Sequence, residues 1–213
     1  PDRGRRALEP NPAVKALKKA LRVSTIQSIR DLDPDLRRAQ EAQLLADLVE
    51  LPGYRDAGTL LLYVTAFDEE IGTLPLITRA LEASRRVVCP RVDKIAHRLD
   101  LFEIEDLERN LEPGVLGIPE PRPTCRSVAP GEVDWVLVPG VVFDLRCNRI
   151  GRGAGHYDRL LPGVRPGVPT WAIAFDCQIL DPIPVEPHDV PLHGVLTPSG
   201  RIEQTKPARS RPH

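Results

Sequence analysis

The stretch AGTLLLYVTAFDEEIGTLPLITRALEASRRVVCP, residues 57–90, contains two short apolar runs separated by a helical pattern. The runs AGTLLLYVT (57–65) and RVVCP (86–90) have the length and composition of buried strands. Between them, TLPLITRALEAS (73–84) repeats its apolar residues at helical spacing, and Thr73 is placed as its N-cap. The order strand, helix, strand is typical of α/β proteins.

Three later segments also have strand patterns. VDWVLVP (133–139) and TWAIAF (170–175) are continuously apolar, as strands covered on both faces are. RLDLFEI (98–104) alternates, which indicates a strand with one exposed face. The segment 106–130 contains five prolines and no clear periodicity, so we expect an ordered surface excursion there.

Two amphipathic helices are predicted ahead of these strands, at 14–29 and 34–49, with Asp33 and Pro34 as N-cap and first-turn residues of the second. Together the patterns predict an α/β fold: a three-layer sandwich with a mainly parallel central sheet flanked by helices. A chain of 213 residues fits one domain, expected over 13–203, with flexible tails at 1–12 and 204–213.

The charge balance excludes several classes of partner. With 29 Lys+Arg and 30 Asp+Glu, the formal charge of -1 provides no global field for nucleic acid or an anionic membrane. No apolar run approaches the ~20 residues of a membrane helix, and residues 1–13 lack the apolar core of a signal peptide. We therefore expect a cytoplasmic monomer that acts on small molecules, and its four cysteines, none in a C-x-x-C pair, are expected to be reduced.

The segment PGVVFDLRCNRIGRGAGHYDRLL, residues 139–161, leaves a predicted strand, crosses a glycine-rich loop and enters a short helix. Gly151, Gly153 and Gly155 would let the main chain approach a bulky anion, and Arg149 and Arg152 add two cations. This combination predicts a polyphosphate site at the carboxyl end of a strand. The spacing fits neither the Rossmann nor the P-loop motif, so the alternative interpretation is a flexible turn with solvated arginines.

The motifs P-G-x-x-F-D and N-R-I-G-R-G-x-G-x-Y-D-R resemble the signature of the 5-formyltetrahydrofolate cyclo-ligase family, also called methenyltetrahydrofolate synthetases. The resemblance extends over most of residues 18–197. Other segments resemble that family in the same order: KKALR (18–22) with Arg30 and Arg37 beyond it, YVTAFDEEIGT (63–73), GIPEP (117–121) and HDVPLHGVLT (188–197).

The resemblance implies a role for individual residues. Positions that match ATP-binding residues are Lys18, Arg22, Arg149, Ile150, Gly151, Arg152, Gly153, Ala154, Gly155, His156 and Tyr157. Positions that match folate-binding residues are Thr65, Glu70, Arg152, Gly153, Ala154, Gly155 and His156. Asp158 and Asp189 match the carboxylates associated with Mg²⁺, and Arg152 and Tyr157 match catalytic positions.

Each of these assignments has a structural alternative. Lys18 and Arg22, four residues apart, share one helical face, which would also suit two solvated charges. Glu70 would serve as a turn carboxylate, and Asp189 as an Asx-turn residue before Pro191. His188 and His193 have no third metal ligand nearby in sequence and are left out of the predicted site.

The chain departs from the family pattern at four positions. The family usually has glycine at 154 and tyrosine at 156, where this chain has Ala154 and His156. Glycine is common at position 147 and aspartate at 193, where this chain has Cys147 and His193. Ala154 requires an ordinary backbone angle, and His156 replaces a phenol with an ionisable ring.

The family's reaction implies that ATP phosphorylates the formyl oxygen of 5-formyltetrahydrofolate. Ring closure then gives 5,10-methenyltetrahydrofolate, ADP and phosphate. Such chemistry requires positioning and charge compensation, which suits the cations of the glycine loop. Two alternatives stay open: a non-catalytic nucleotide- or folate-binding homologue, and a sugar-phosphate isomerase or CoA-transferase-like enzyme built on a similar sheet.

Overall fold

An eight-stranded sheet forms the centre of the part of the chain that the structure describes. This structure is a computed structural model, and it describes residues 11–114 and 117–204. The α-helices are α1 (Pro12–Arg30), α2 (Pro34–Asp47), α3 (Leu74–Glu82), α4 (Leu107–Asn110) and α5 (His156–Leu160). The strands are β1 (Thr59–Leu61), β2 (Arg86–Asp93), β3 (Arg98–Ile104), β4 (Leu111–Pro113), β5 (Pro119–Pro121), β6 (Ser127–Val128), β7 (Trp135–Leu137), β8 (Val142–Phe143), β9 (Arg149–Ile150), β10 (Thr170–Ile173), β11 (Gly194–Thr197) and β12 (Gly200–Glu203).

The sheet has the strand order β12-β11-β10-β7-β1-β2-β3-β6. Its central strands β11, β10, β7, β1 and β2 run parallel to one another. The outer pairs β11–β12, β2–β3 and β3–β6 are antiparallel. The predicted α/β class with a mainly parallel central sheet is therefore confirmed.

Alternate residues of the central strand segments belong to two separate apolar clusters. One cluster contains Leu60, Leu62, Val87, Trp135, Leu137, Trp171 and Ile173, together with residues of α1, α2 and α3. The other contains Leu61, Val88, Val136, Val138, Ala172 and Ala174, together with Tyr157 and Leu160 of α5. Since successive side chains of a strand point to opposite faces, helices cover both faces of the sheet. This burial on both faces explains the continuously apolar strand sequences.

The predicted start of the second helix is confirmed. Pro34 begins α2, and the Asp33 carboxylate accepts hydrogen bonds from the N–H groups of Asp35 and Leu36, each at 3.0 Å. The helix ends at Asp47, and a 3₁₀ turn over Leu48–Glu50 takes up the end of the predicted segment. Among the helices within 11–114 and 117–204, none is both long and apolar enough to cross a membrane.

The predicted capping role of Thr73 is wrong. Thr73 occupies the N-cap position of α3, but its side chain makes no capping hydrogen bond. Its hydroxyl donates instead to the Tyr63 carbonyl at 2.6 Å and accepts from the Thr65 N–H at 3.1 Å. The hydroxyl therefore bonds to the Tyr63 carbonyl instead of to an N–H group of α3. This hydrogen bond connects the start of α3 to the segment that follows β1.

The described chain begins before the predicted domain boundary. Asn11 caps α1, since its side chain accepts from the Ala13 N–H at 3.0 Å, and the helix begins at Pro12. The other residues of the two predicted tails lie outside the described residues, except Gln204, whose N–H donates to the His193 carbonyl. The expectation of one domain over 13–203 stays a prediction. The proline-rich segment carries α4, the β4–β5 hairpin and the edge strand β6, apart from residues 115–116, which are not described.

Close packing between Gly194 and Trp171 predicts a stability effect. Gly194 lies opposite Trp171 in the β10–β11 register, and an added Cβ would lie 2.3 Å from the indole Cζ3. We expect Gly194→Ala to lower the free energy of unfolding by about 1–3 kcal/mol, because the buried indole must move. Urea denaturation measures this change. Gly131→Ala is the control, since no heavy atom lies within 4 Å of its added Cβ; equal losses in both variants would contradict the steric explanation.

Candidate active site

A cavity of about 840 Å³ opens at the carboxyl ends of the central strands. Residues that follow β1 and β7 line it, together with residues of α1, the β2–β3 hairpin and β5. The glycine loop, residues 149–155, and the segment 186–189 also contribute to the lining. The cavity therefore lies where the sequence predicts a ligand site, at the carboxyl ends of parallel strands.

The glycine loop connects the β8–β9 hairpin to α5. Gly153 has a φ of 105° and Gly155 a φ of 65°, both in the left-handed region that favours glycine. Ala154 lies between them without a positive φ, as its side chain requires. Cys147, at the position where the family commonly has glycine, has a φ of 62° and a buried side chain. The backbone at 147 thus keeps the conformation that glycine would adopt most easily.

Two cations of the predicted ATP site are paired with carboxylates in the structure. The Lys18 ammonium lies 2.9 Å from Glu186 Oε2 and 2.6 Å from Asp189 Oδ2, and its side chain is only 9% exposed. Arg149 Nη2 donates to Asp158 Oδ1 at 2.8 Å. These two positive charges of the cavity lining are therefore balanced by acidic groups, with which an anionic ligand would have to compete.

Arg22 contacts the glycine loop directly. Its Nε donates to the Gly151 carbonyl at 2.5 Å, and its guanidinium lies beside Gly153, where an added Cβ would be 3.6 Å from Cζ. Burial lowers the pKa of Arg22, and the negative charge of Asp189 opposes this effect. Lys18 and Arg22 thus face the same cavity, as their spacing predicts, rather than solvent.

Arg152 is held by the segment between β1 and α3. Its Nη2 donates to Glu69 Oε1 at 2.8 Å, its Nε lies 3.4 Å from Glu70 Oε1, and its Cζ lies 3.4 Å from the centroid of the Phe67 ring. Glu69 also lies 3.6 Å from Arg30 on α1. Burial acts to raise the pKa of Glu69, but the hydrogen bond from Arg152 and the charges of both arginines outweigh it, so the pKa is lowered. Glu69 is therefore an anion at neutral pH.

The predicted folate-contacting residues Thr65 and Glu70 differ from each other in their position relative to the cavity. Glu70 lines the cavity, and its carboxylate accepts from the Ala66 N–H at 2.9 Å. Thr65 is not among the lining residues. Its hydroxyl lies 3.1 Å from the Ile71 carbonyl and 3.0 Å from the Thr73 hydroxyl, so it stabilises the turn that carries Glu70.

Two buried polar atoms next to the cavity have no hydrogen-bond partner among the described residues: the Tyr157 hydroxyl and Arg149 Nε. Both residues line the cavity, and the Arg149 guanidinium lies 5.9 Å from the Tyr157 ring centroid. Burial raises the pKa of Tyr157 far above its ordinary value, with Arg149 opposing the effect, so the phenol stays protonated. Unpaired buried polar atoms are costly, and a ligand that pairs with them would be stabilised.

The potential metal ligands of the described chain are grouped differently from the prediction. Glu186, His188 and Asp189 offer ligand atoms that all lie within 4.8 Å of one another, whereas Asp158 is paired with Arg149 and is not in this group. His188, which is not a predicted site residue, lines the cavity, and His193 does not. The spacing E-x-H-D over 186–189 is the sequence signal that could have identified the cluster.

A further set of lining residues is mainly apolar, and none of its members is among the predicted site residues. The set consists of Tyr63, Val64, Phe67, Pro90, Val92, Leu99, Ile118 and Pro119. Of these, only the residues of YVTAFDEEIGT and GIPEP lie in recognised motifs, since Pro90, Val92 and Leu99 belong to the β2–β3 hairpin. One cavity thus combines charged and apolar lining residues, which suits a pair of ligands of which one is anionic and the other aromatic.

Comparison with known proteins agrees with this geometry. The model of the 5-formyltetrahydrofolate cyclo-ligase family matches residues 14–198. Proteins named 5-formyltetrahydrofolate cyclo-ligase are similar to the chain: one from Mycolicibacterium smegmatis is 34% identical, covering 87% of this chain and 95% of its own, and one from Escherichia coli K12 is 32% identical, covering 81% and 96%. The NMR structure of Aquifex aeolicus 5,10-methenyltetrahydrofolate synthetase superimposes with a TM-score of 0.79 at 28% identity, covering 92% of this chain and 97% of that one.

The match to the family model extends from α1 to the end of β11 and so includes every element that lines the cavity. The relatives are covered almost over their full lengths, so the likeness is not confined to one motif. The chain is an enzyme, and it belongs to the 5-formyltetrahydrofolate cyclo-ligase family.

Proposed function

We propose that this enzyme uses ATP to convert 5-formyltetrahydrofolate to 5,10-methenyltetrahydrofolate. The observation that carries the proposal is that one cavity is lined both by several cations and by many apolar side chains. An ATP triphosphate suits the cations, and a reduced pterin with its aminobenzoyl group suits the apolar lining. The names of the family and of its relatives give the same reaction class.

A formamide is a poor electrophile, because its oxygen would have to leave as oxide or hydroxide. In the proposed reaction the formyl oxygen attacks the γ-phosphorus of ATP, and ADP leaves. N10 then adds to the activated formyl carbon and loses its proton, and the formyl oxygen departs in inorganic phosphate. Phosphoryl transfer of this kind needs positioning and charge compensation more than covalent participation of the protein.

The cations of the cavity lining support binding of the triphosphate. Lys18, Arg22, Arg149 and Arg152 all line the cavity beside the glycine loop. Arg149 Nε is buried and unpaired among the described residues, which leaves a donor for a phosphate oxygen. We propose that Lys18 and Arg149 hold the phosphates and that Arg152 stabilises the charge that develops during transfer.

The residues present fit a divalent cation. Glu186 and Asp189 supply carboxylate oxygens, the ligands that Mg²⁺ prefers, and His188 lies beside them. The positively charged Lys18 ammonium already lies within 3 Å of both carboxylates, so this position attracts a cation. Mg²⁺ held there would neutralise phosphate charge, and we include Asp158 as an additional oxygen donor, in line with the family resemblance.

The apolar side chains of the lining, together with two hydrogen-bonding groups, support binding of the folate. Tyr157 has a protonated, unpaired hydroxyl next to the cavity, and Glu70 presents a carboxylate to the same space. We propose that these two groups orient the pterin, since each can pair with a ring nitrogen or with the substituents of the ring. The expected monomeric state and cytoplasmic location stay predictions.

A direct absorbance assay of product formation tests the function. The methenyl product absorbs where the formyl substrate does not, so we expect product only when ATP and a divalent cation are both present. Removal of either one, with EDTA added in the second case, should abolish the signal. Turnover without nucleotide would overturn the proposed mechanism. Tight folate binding by calorimetry without any turnover would instead favour the non-catalytic homologue.

Because the His156 ring can take up a proton, we expect the affinity for folate to depend on pH. Burial lowers the pKa of His156, the charge of Arg159 lowers it further, and a hydrogen bond to the His97 backbone partly opposes both. The ring is therefore neutral at pH 7 and takes up a proton in the folded protein only below its ordinary pKa of ~6.5. Below that pH the unfolded chain binds this proton first, so folding stability falls as well.

We expect the folate KM to change below about pH 6.5 by a component that His156→Tyr removes. The measurement is the pH profile of KM at saturating Mg-ATP for both forms, over a range in which circular dichroism is constant. Identical profiles would mean that His156 does not contact the folate.

A further inference from the structure

Glu69 contacts Arg152 from outside the cavity. The carboxylate is not part of the lining of the 840 Å³ cavity, and its side chain is only 7% exposed. One oxygen accepts from Arg152 Nη2 at 2.8 Å, and the other lies 3.6 Å from Arg30 Nη2 on α1. Glu69 therefore links a cation of the glycine loop to the first helix through the segment after β1.

Phe67 supports the same guanidinium from a second direction. The Cζ atom of Arg152 lies 3.4 Å from the ring centroid, within the range of a cation–π contact. Glu69 accepts a hydrogen bond from Arg152 Nη2, and Glu70 Oε1 lies 3.4 Å from Arg152 Nε. Among the described residues, no acceptor takes a hydrogen bond from Nη1. The protein thus occupies one edge and one face of the guanidinium and leaves one arm for a ligand.

We propose that Glu69 and Phe67 are positioning residues that hold Arg152 for the reaction. An unrestrained arginine samples many rotamers, and fixing it before the ligand binds reduces the entropy lost in the transition state. The inference rests on the proposed function, because it takes Arg152 to act on the transferred phosphoryl group. Glu69 itself does not contact the substrates, since it does not line the 840 Å³ cavity.

The opposite role would give the opposite result. If Glu69 held Arg152 away from the phosphates, Arg152 would have to break the ion pair at each turnover, and loss of the carboxylate would speed the reaction. If Glu69 orients Arg152, its loss slows the reaction without weakening ground-state binding. The sign of the change in kcat therefore distinguishes positioning from inhibition.

We expect Glu69→Ala to lower kcat roughly tenfold to hundredfold, with the KM values for ATP and folate changed less than about threefold. Glu69→Gln keeps an acceptor oxygen at the same place and should recover most of the loss. Phe67→Leu, which removes the ring but keeps an apolar side chain, should also lower kcat. An increase in kcat, or equal losses in Glu69→Ala and Glu69→Gln, would overturn the proposal.

Glu103 offers a matched control within the same chain. Its carboxylate also bridges two arginines, Arg86 at 2.9 Å and Arg126 at 3.0 Å, and its side chain is 17% exposed. Neither arginine lines the cavity. Glu103→Ala should lower the melting temperature about as much as Glu69→Ala and leave kcat unchanged. A comparable loss of kcat in both variants would mean that the effect of Glu69 is only structural.

A second readout does not depend on turnover. The Nη2–H resonance of Arg152, assigned by its absence in Arg152→Lys, reports on the hydrogen bond to Glu69 in the ligand-free enzyme. We expect slow hydrogen exchange and a single position in the wild type, and fast exchange in Glu69→Ala. If the resonance is unchanged in Glu69→Ala, the positioning role is wrong even if the proposed function holds. If wild-type protein shows no turnover but this resonance responds as expected, the positioning contact stands and the proposed function fails.

Discussion

Replacement of Arg152 by alanine is expected to lower kcat by about 10³-fold, the scale of loss when an arginine that stabilises a phosphoryl-transfer transition state is removed. Arg152 lines the cavity from the glycine loop, and Phe67, Glu69 and Glu70 fix its guanidinium. Because the charge acts mainly on the transition state, KM should change much less than kcat. The measurement is steady-state formation of the methenyl product at saturating Mg-ATP.

Arg201→Ala is the control for charge removal. Arg201 is an exposed residue of the edge strand β12, away from the cavity lining, so its loss should leave kcat within about twofold. Arg152→Ala also leaves Glu69 with Arg30 as its remaining cation, so both variants must be assayed well below their melting temperatures. If Arg152→Ala keeps activity within twofold while circular dichroism is unchanged, the glycine loop has been assigned the wrong role.

The sequence predicts the sheet well because its signal is local. WAIAF (171–175) and WVLVP (135–139) are apolar at every position, and the structure explains this by packing alternate side chains, such as Trp171 and Ala172, against helices on opposite faces. The glycine loop is predictable for a similar reason, since left-handed angles at Gly153 and Gly155 demand a particular residue type. In both cases one short segment of the sequence contains all the residues on which the prediction depends.

The partners of the site cations could not be predicted, because no local pattern encodes them. Lys18 and Glu186 are 168 residues apart in the chain, and Arg152 and Glu69 are 83 apart. Glu69 is one of three successive acidic residues, and neither its burial nor its contact with Arg152 is visible in that run. The same holds for Thr73. Its local sequence predicts a helix cap, but its hydroxyl donates a hydrogen bond to the Tyr63 carbonyl instead.

The carboxylate pair around Lys18 leads to a further expectation about stability. Lys18→Met keeps the length of the side chain but leaves Glu186 and Asp189 without the ammonium that lies within 3 Å of both. Removing one member of a buried ion pair typically costs about 3–5 kcal/mol, and the partial exposure of the two acids places this case near the lower end. Lys19→Met, an exposed neighbour on α1, should change the free energy of unfolding by less than about 0.5 kcal/mol.

A divalent cation should reverse much of this loss, because Glu186, His188 and Asp189 can bind it where the ammonium was. In EDTA the melting temperature of Lys18→Met should fall well below that of the wild type, and millimolar Mg²⁺ or Mn²⁺ should raise it by more than it raises the wild type. The double variant Lys18→Met, Asp189→Asn should be more stable in EDTA than Lys18→Met alone and should respond less to metal. Turnover of Lys18→Met should still be severely reduced in Mg²⁺, because the metal restores the charge balance of the carboxylates but not the phosphate ligand that Lys18 supplies. A melting temperature of Lys18→Met that is insensitive to metal would mean that these three residues do not form the cation site, and Asp158 would then be the carboxylate to test.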